Sequence, residues 1–423
     1  MGENSVAVGT EDWWPRSLVI CGGGNGGHAL AVVASQNFDG SVDWLVGSDE
    51  KAALLARNVG RTGLRSTGVI TGLADRLRTI TADPAEVIPD ADLILIVVPA
   101  FCHTGVLDRI APFVRAAAVV GCLPTRGGFE FDAGRLGTGD HGPTIFGLQT
   151  LPWSTRATSP GETVNFGAAK STVVLASLPA HAAGTLARTM ARLIDTRVVP
   201  ADSILNLTLG NPGQFIHPGL MYGHFNAWQG QEYAEESTPR FYAEASEEMG
   251  ETVARLSAEA VAVAREVERR SDSEHDLQWV VPVIEWLRDS YSHVTEDTST
   301  VGTCFRTGPI QARLAPMTEA RPGVYVPNFA YRYLTEDVPY GLVVTRAIAE
   351  LAEVPTPTID AVVTWAQTVM GRDYLSNGRL VGHDLAQLPL PQNHGLHTLD
   401  DLIAWYRGER RSVAGDDERL VLN

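Results

Sequence analysis

Six residues near the start of the chain, Gly22-Gly23-Gly24-Asn25-Gly26-Gly27, limit its fold more than any other stretch. They satisfy the spacing GxGxxG with Gly22, Gly24 and Gly27 at its defining places, directly after the apolar run Leu18-Val19-Ile20 and before the apolar stretch 29–34. A strand that turns at once into a helix needs glycine where the turn is tight and where helix and strand touch. The same geometry aims the free N–H groups of a helix N-terminus at whatever lies over the turn, and bare backbone there admits a pyrophosphate. A glycine turn without a ligand is the alternative. The strand before it and the helix-forming run after it favour a dinucleotide site built on Gly22, Gly24, Asn25, Gly26 and Gly27.

The rest of the chain divides into two textures. Over 17–199, short apolar runs alternate with alanine-rich stretches and Gly/Pro breaks, as in strands that cross to helices around a parallel sheet. The expected strands are 18–20, 42–46, 93–98, 118–120 and 172–175. From about residue 203 the periodicity is helical: Met249, Val253, Leu256, Ala260, Val263 and Val267 recur at three- and four-residue steps, a stripe that requires burial. A further helix begins at Thr356 as N-cap with Pro357 in the first turn, presents Ile359, Val362, Val363, Ala366 and Met370, and stops at Gly371. At 423 residues the chain is too long for one ordinary core. The expectation is an N-terminal tail over 1–16, an α/β Rossmann domain over 17–199, and a mainly α-helical domain over 200–423 that carries the substrate chemistry.

Charge narrows the range of partners. Fifty acidic against 33 basic residues leave a formal charge of -17, which repels phosphate backbones and anionic bilayers, so neither nucleic acid nor membrane is expected. Cys21, Cys102, Cys122 and Cys304 lie far apart without metal or redox spacing, which suits a reducing cytoplasm and predicts no metal centre. Residues 1–16 have neither a basic start nor a continuous apolar stretch, so no signal peptide is expected, and no run approaches the length of a membrane span.

Cofactor type is read from the sequence after the glycines. An acid about 20 positions on would hold the ribose 2′-hydroxyl; Gly47 stands there and Asp49 follows two residues later. If Asp49 reaches the ribose, NAD(H) is favoured; if it is a solvated loop acid, Gly47-Ser48 leaves room for the phosphate of NADP(H). No arginine adjoins the turn and Lys51 is the nearest cation, so NAD(H) is the expectation, with NADP(H) as the alternative. The fully apolar run 93–98 reads as a buried parallel strand ending at the sheet's ligand-binding edge, where Pro99 and Ala100 either line the nicotinamide site or merely turn the chain.

Proton-transfer chemistry points to the second half. The segment 206–222, NLTLGNPGQFIHPGLMY, sets His217 in apolar surroundings before a proline. Imidazole is the side chain that gives and takes a proton near neutrality, although a single histidine is as readily structural. The segment 328–342, NFAYRYLTEDVPYGL, supplies Asp337 as a hydrogen-bond partner that selects the imidazole tautomer; the alternative is that Asp337 or Thr335 only caps a helix beginning near Val338. Arg332 is either a bidentate anion ligand or a surface ion-pair partner.

Taken together, GGGNGGHA, DLILIVVPA, GLQTLPW, FIHPGLMYG and RYLTEDVPYGLV resemble octopine and related opine dehydrogenases, in the right order and from about Ser17 to Leu375. That resemblance implies a Rossmann domain, a helical opine dehydrogenase domain and catalysis in the cleft between them, joining an amino acid to a 2-oxo acid by reduction of their imine. It implies that His217 is the catalytic acid/base and Asp337 its carboxylate partner, and that Arg332 engages the cofactor pyrophosphate. It further implies that Thr150 contacts the 2-oxo acid and that Met221, Tyr222 and Trp286 line the amino-acid pocket. One departure stands out. Arg126 takes the place of a family glutamine that contacts the 2-oxo acid; facing the cleft it would bind a further carboxylate, and otherwise it is a solvated loop residue. The segments before Ser17 and after Gly408 match nothing in the family and read as exposed mobile chain. Partners expected are the two small substrates, with a homodimer as the assembly allowed for. Two other readings stay open: a hydroxyacid or polyol-phosphate dehydrogenase that needs no amine, and a non-catalytic dinucleotide-sensing protein.

Overall fold

The computed structural model describes residues 13–137, 142–272, 276–309 and 311–407. They form two compact units, one of 13–207 with 276–277 and 403–407, the other of 208–272 with 278–402. The division falls within the short helix Leu205–Leu209 rather than at Pro200. The segment after Gly408 and most of the expected N-terminal tail lie outside the described residues. Trp13 and Trp14 depart from that tail: Trp13 is buried and its carbonyl accepts from Thr189, while Arg192 covers the Trp14 ring at 3.9 Å. Two large aromatic side chains find more apolar contact against the domain than in water, so the chain is anchored from Trp13 onward.

In the first unit β1 (Ser17–Cys21), α1 (Asn25–Asn37), β2 (Ser41–Leu45) and α2 (Asp49–Thr62) open the Rossmann pattern. Then follow β3 (Leu64–Gly68), β4 (Gly72–Ala74), β5 (Leu77–Thr81), β6 (Leu93–Ile96), α3 (His103–Ile110), β7 (Val119–Cys122) and α4 (Phe129–Asp132). The run closes with β8 (Thr144–Leu148), β9 (Trp153–Ser159), β10 (Thr163–Ala169), β11 (Thr172–Leu178), α5 (Ala183–Ile194) and β12 (Arg197–Pro200). Eight strands make the main sheet in the order β12-β11-β8-β7-β6-β1-β2-β5, with every neighbouring pair parallel except β8 and β11. All five expected strands are present in it. Alternate residues of its central strands enter two cores: Leu18, Ile20, Leu93 and Leu95 on one face, Val19, Cys21, Ile94 and Ile96 on the other. Burial on both faces is why these strands read as unbroken apolar runs, each fully buried Leu or Ile contributing about 2 kcal/mol.

A second sheet, β4-β3-β10-β9, has no counterpart in the sequence reading. Its strands alternate exposed polar with few apolar residues; in β9 only Trp153 is buried. A sheet that hides one face against a helix needs few apolar residues, so its sequence signal is weak.

The second unit is helical. It takes up the chain at the end of α6 (Leu205–Leu209) and contains α7 (Gly213–Phe225), α8 (Glu247–Arg270), α9 (Val283–Tyr291), α10 (Val301–Thr307), α11 (Arg332–Thr335), α12 (Val343–Leu351) and α13 (Pro357–Met370), with a π-helical turn Val338–Leu342 before α12. The predicted stripe on α8 is buried at all six positions, and Ser246 caps the helix by accepting from the Met249 N–H. Gly219 and Gly223 of α7 let α8 approach: a Cβ would lie 2.7 Å from Val253 and 2.3 Å from Met249. In α13, Ile359, Val362, Val363 and Ala366 face inward and Gly371 ends the helix in the left-handed region at φ 65°. Among the described residues no helix is long and apolar enough to cross a membrane.

Candidate active site

The glycine turn is built from backbone contacts that only glycine permits. A Cβ on Gly27 would lie 1.8 Å from the Gly22 carbonyl oxygen, and one on Gly22 would lie 2.3 Å from the Val97 oxygen. The Gly22 carbonyl also accepts the Trp44 indole N–H at 2.8 Å, so strand, turn and helix are locked together. Gly24 is different. No atom comes within 4 Å of where its Cβ would stand. It is the N-cap of α1, a helix with no side-chain cap and no acid in its first turn. Free N–H groups facing open space at a helix start fit the pyrophosphate of a dinucleotide.

The other first-unit candidates are arranged around this turn. The Asn25 side chain is engaged elsewhere, its oxygen accepting the Ala157 N–H at 2.9 Å, which leaves its backbone at the helix start to face an anion. Gly26 sits beside Val97 and Leu151, which brings the sheet edge carrying Pro99 and Ala100 and the loop carrying Thr150 up to the helix start. Pro99 and Thr150 are half-buried and Ala100 is buried. The strand expected over 93–98 ends at Ile96. Asp49 is exposed in the first turn of α2, just after the Ser48 N-cap. Arg126 is not a solvated loop residue: it is only 8 % exposed.

His28 was missed in the sequence, although it directly follows the glycines. Its Nδ1–H donates to the Gly24 carbonyl at 2.8 Å, and its Nε2 accepts the Gly161 N–H at 2.9 Å. Both bonds require the neutral ring, and burial holds its pKa below the usual histidine value. The side chain thus ties the phosphate-binding turn to the β9–β10 hairpin.

In the second unit α7 carries His217, and Nδ1 of that ring lies 2.8 Å from Oδ2 of Asp337. The approach has a local cause. The Gln214 side chain donates to the Thr208 and Leu209 carbonyls and accepts from the Thr345 hydroxyl, which pins the start of α7 to α12. Gly341 in the π-helical turn lets Gln214 come close, since a Cβ there would lie 2.6 Å from the Gln214 Cβ. Asp337, at the entry to that turn, is carried to the imidazole. With Asp337 as carboxylate, Nδ1–H donates, and Nε2 is the ring nitrogen at which a proton can be exchanged. The side chain of His217 is 22 % exposed and that of Asp337 1 %.

Two adjacent buried acids here have different partners. Glu336 is held by Arg332, whose Nε and terminal nitrogen lie 2.7 and 2.6 Å from Oε2, while Asp337 meets His217. The Arg332 side chain stays 47 % exposed. The imidazole also stacks on Tyr333 with centroids 3.9 Å apart and planes at 12°, a contact absent from the sequence reading.

Three pocket candidates separate. Tyr222 is half-buried with its ring edge-on to Trp365 at 5.5 Å, and Trp286 is half-buried against Tyr291 at 5.6 Å. Met221 is a correction: it is fully buried in the helical core and offers no surface to a ligand, because its face of α7 is packed over.

A Rossmann unit with an open phosphate-binding turn, and a helical unit with a carboxylate-buttressed imidazole, define a two-domain NAD(P)-dependent oxidoreductase. Residues 200–370 match the family described as NAD/NADP octopine/nopaline dehydrogenase, alpha-helical domain. Tauropine dehydrogenase of Arabella iricolor is 30% identical over 91% of this chain and 99% of its own. A structure of octopine dehydrogenase with NADH and L-arginine is 27% identical, with a TM-score of 0.83 over 93% of this chain and 98% of its own. One of octopine dehydrogenase with NADH and pyruvate is 28% identical, with a TM-score of 0.81 and the same coverage. The chain belongs to the octopine and opine dehydrogenase family, oxidoreductases acting on CH–NH groups.

Proposed function

We propose that this chain condenses an amino acid with a 2-oxo acid and reduces the product to an N-(carboxyalkyl) amino acid, with NADH as the favoured reductant. The observation that carries the reading is the His217–Asp337 pair within a member of this family. The amine attacks the carbonyl carbon to give a carbinolamine. Nε2 of His217 takes a proton from the ammonium of the incoming amino acid and returns it to the hydroxyl, which leaves as water and gives the protonated imine, while Asp337 stabilises the charge on the ring between the two transfers. A dinucleotide whose pyrophosphate is held along Gly22 to Gly27 would supply, from its nicotinamide, the hydride that reduces the protonated imine at carbon.

In this reading Thr150 and Arg126 bind the carboxylates of the oxo acid, Tyr222 and Trp286 contact the amino acid, Arg332 pairs with cofactor phosphate, and Asp49 holds the ribose. The half-exposed guanidinium of Arg332 and the open space at Gly24 support these roles. The acidic composition and the wide spacing of the four cysteines suit a cytoplasmic enzyme.

The test is a matrix of amino acids against 2-oxo acids, run with NADH and with NADPH and followed by nicotinamide absorbance. Oxidation that requires both the amine and the oxo acid is expected. Equal oxidation without amine would assign the chain to hydroxyacid reduction, and cofactor binding without oxidation in any pair would make it a sensor.

A further inference from the structure

We infer that Tyr333 is a positioning residue for the imidazole of His217, holding the ring plane by stacking; the inference rests on His217 being the acid–base group. A hydrogen bond from Nδ1 to Asp337 fixes one edge of the ring, and a single such bond does not by itself set the ring plane. The Tyr333 face, 3.9 Å away and within 12° of parallel, restrains that plane. Nε2 is then aimed in one direction, which is what proton transfer to a bound substrate requires.

The stack is itself clamped. Behind Tyr333 lies Phe241, with centroids 5.1 Å apart and planes at 26°, and behind Phe241 lies His224 at 5.7 Å and 27°. His217 and His224 are seven residues apart on α7, two turns and therefore one face, separated by about 10 Å along the axis. Two rings fill the space between two histidines of the same helix. His224 Nε2–H donates to the Phe241 carbonyl at 3.0 Å and closes the column from the far end. Tyr333 is 4 % exposed and Phe241 is fully buried, so neither ring has room to tilt. Burial pushes the Tyr333 hydroxyl up to about 12, and its ring is a neutral phenol at any ordinary assay pH. The stacking face is the ring alone, and the hydroxyl, which hydrogen-bonds with Tyr242, lies at its rim.

The experiment compares Tyr333→Leu with Tyr333→Phe in the full chain, reading steady-state kinetics, NADH affinity by fluorescence, and the His217 ring-proton resonances in histidine-labelled protein. Tyr333→Leu is expected to lower kcat by about tenfold to a hundredfold, to leave the NADH Kd within about twofold, and to abolish the upfield ring-current shift of His217. Tyr333→Phe, which keeps the stacking face, is expected to keep kcat within about threefold together with the ring-current shift. Wild-type kcat in Tyr333→Leu despite a moved resonance would overturn the inference, as would a loss in Tyr333→Phe equal to that in Tyr333→Leu. If Tyr333→Leu does not fold, Phe241→Leu decides: a reduced shift with a lowered kcat supports the clamp, and no change in either overturns it. Turnover retained in His217→Ala would overturn the functional reading instead, leaving the resonance comparison intact.

Discussion

Nδ1 of His217 lies 2.8 Å from Oδ2 of Asp337 across 120 residues of sequence, with the carboxylate buried and the imidazole reaching the surface of its unit. A buried acid beside a partly exposed imidazole suits the proposed division of labour, in which one group sets the tautomer and the other exchanges a proton with substrate.

Removal of either partner separates chemistry from binding. His217→Ala and Asp337→Asn are each expected to lower kcat by about a hundredfold or more, with NADH affinity within about twofold of wild type. Fluorescence titration of NADH alongside initial rates checks this; parallel loss of both would mark the pair as structural.

The glycines of the turn are predicted to fail in different ways. Gly24→Ala adds a methyl group where no protein atom lies within 4 Å, so the fold should hold to within about 1 kcal/mol while NADH binding falls at least about tenfold. Gly27→Ala drives a Cβ to 1.8 Å from the Gly22 carbonyl and should cost about 3 kcal/mol or more. Thermal melts with cofactor titrations distinguish the two; equal destabilisation would show that Gly24 is also a packing glycine.

Acid should weaken the first unit through a histidine that does no chemistry. His103 is enclosed beside Phe129, and burial, helped by the charge of Arg126, pushes its pKa down from 6.5 to about 4. The unfolded chain takes up this proton as pH falls below about 6.5 and the folded chain only near 4, so stability is lost across that interval by about 3 kcal/mol. Burial lowers the His28 pKa as well, and its contribution has the same sign. Urea unfolding at pH 7 and pH 4.5 should show a smaller acid loss in His103→Asn than in wild type. The same loss in both would rule out His103 as a source.

Cofactor choice should respond to Asp49. Its exposed position in the first turn of α2 suits a carboxylate that receives the ribose hydroxyl. Asp49→Ser is expected to raise the KM for NADH about tenfold and to narrow the preference over NADPH. An unchanged ratio of kcat/KM for the two cofactors would make Asp49 only a helix-start acid.

Much of this molecule is written locally in its sequence. The glycine turn, the doubly buried strands and the α8 stripe were legible because each obeys a short-range rule: tight contact demands glycine, burial on both faces demands an apolar run, and one buried helix face demands three- and four-residue steps. The sheet β4-β3-β10-β9 was not, because one sparsely apolar face is enough to cover a helix. His217 and Asp337 were named from resemblance to a family, and composition or spacing alone left each of them open.

Tertiary structure decided what no local rule encodes. That Gly341 lets α7 close on the π-helical turn, that Tyr333 and Phe241 fill the gap between His217 and His224, that Met221 is core and not pocket, and that His28 bonds the turn to a distant hairpin are all consequences of packing. Sequence specifies which faces must be buried, whereas contacts between residues far apart along the chain depend on how those faces fit at close-packed density.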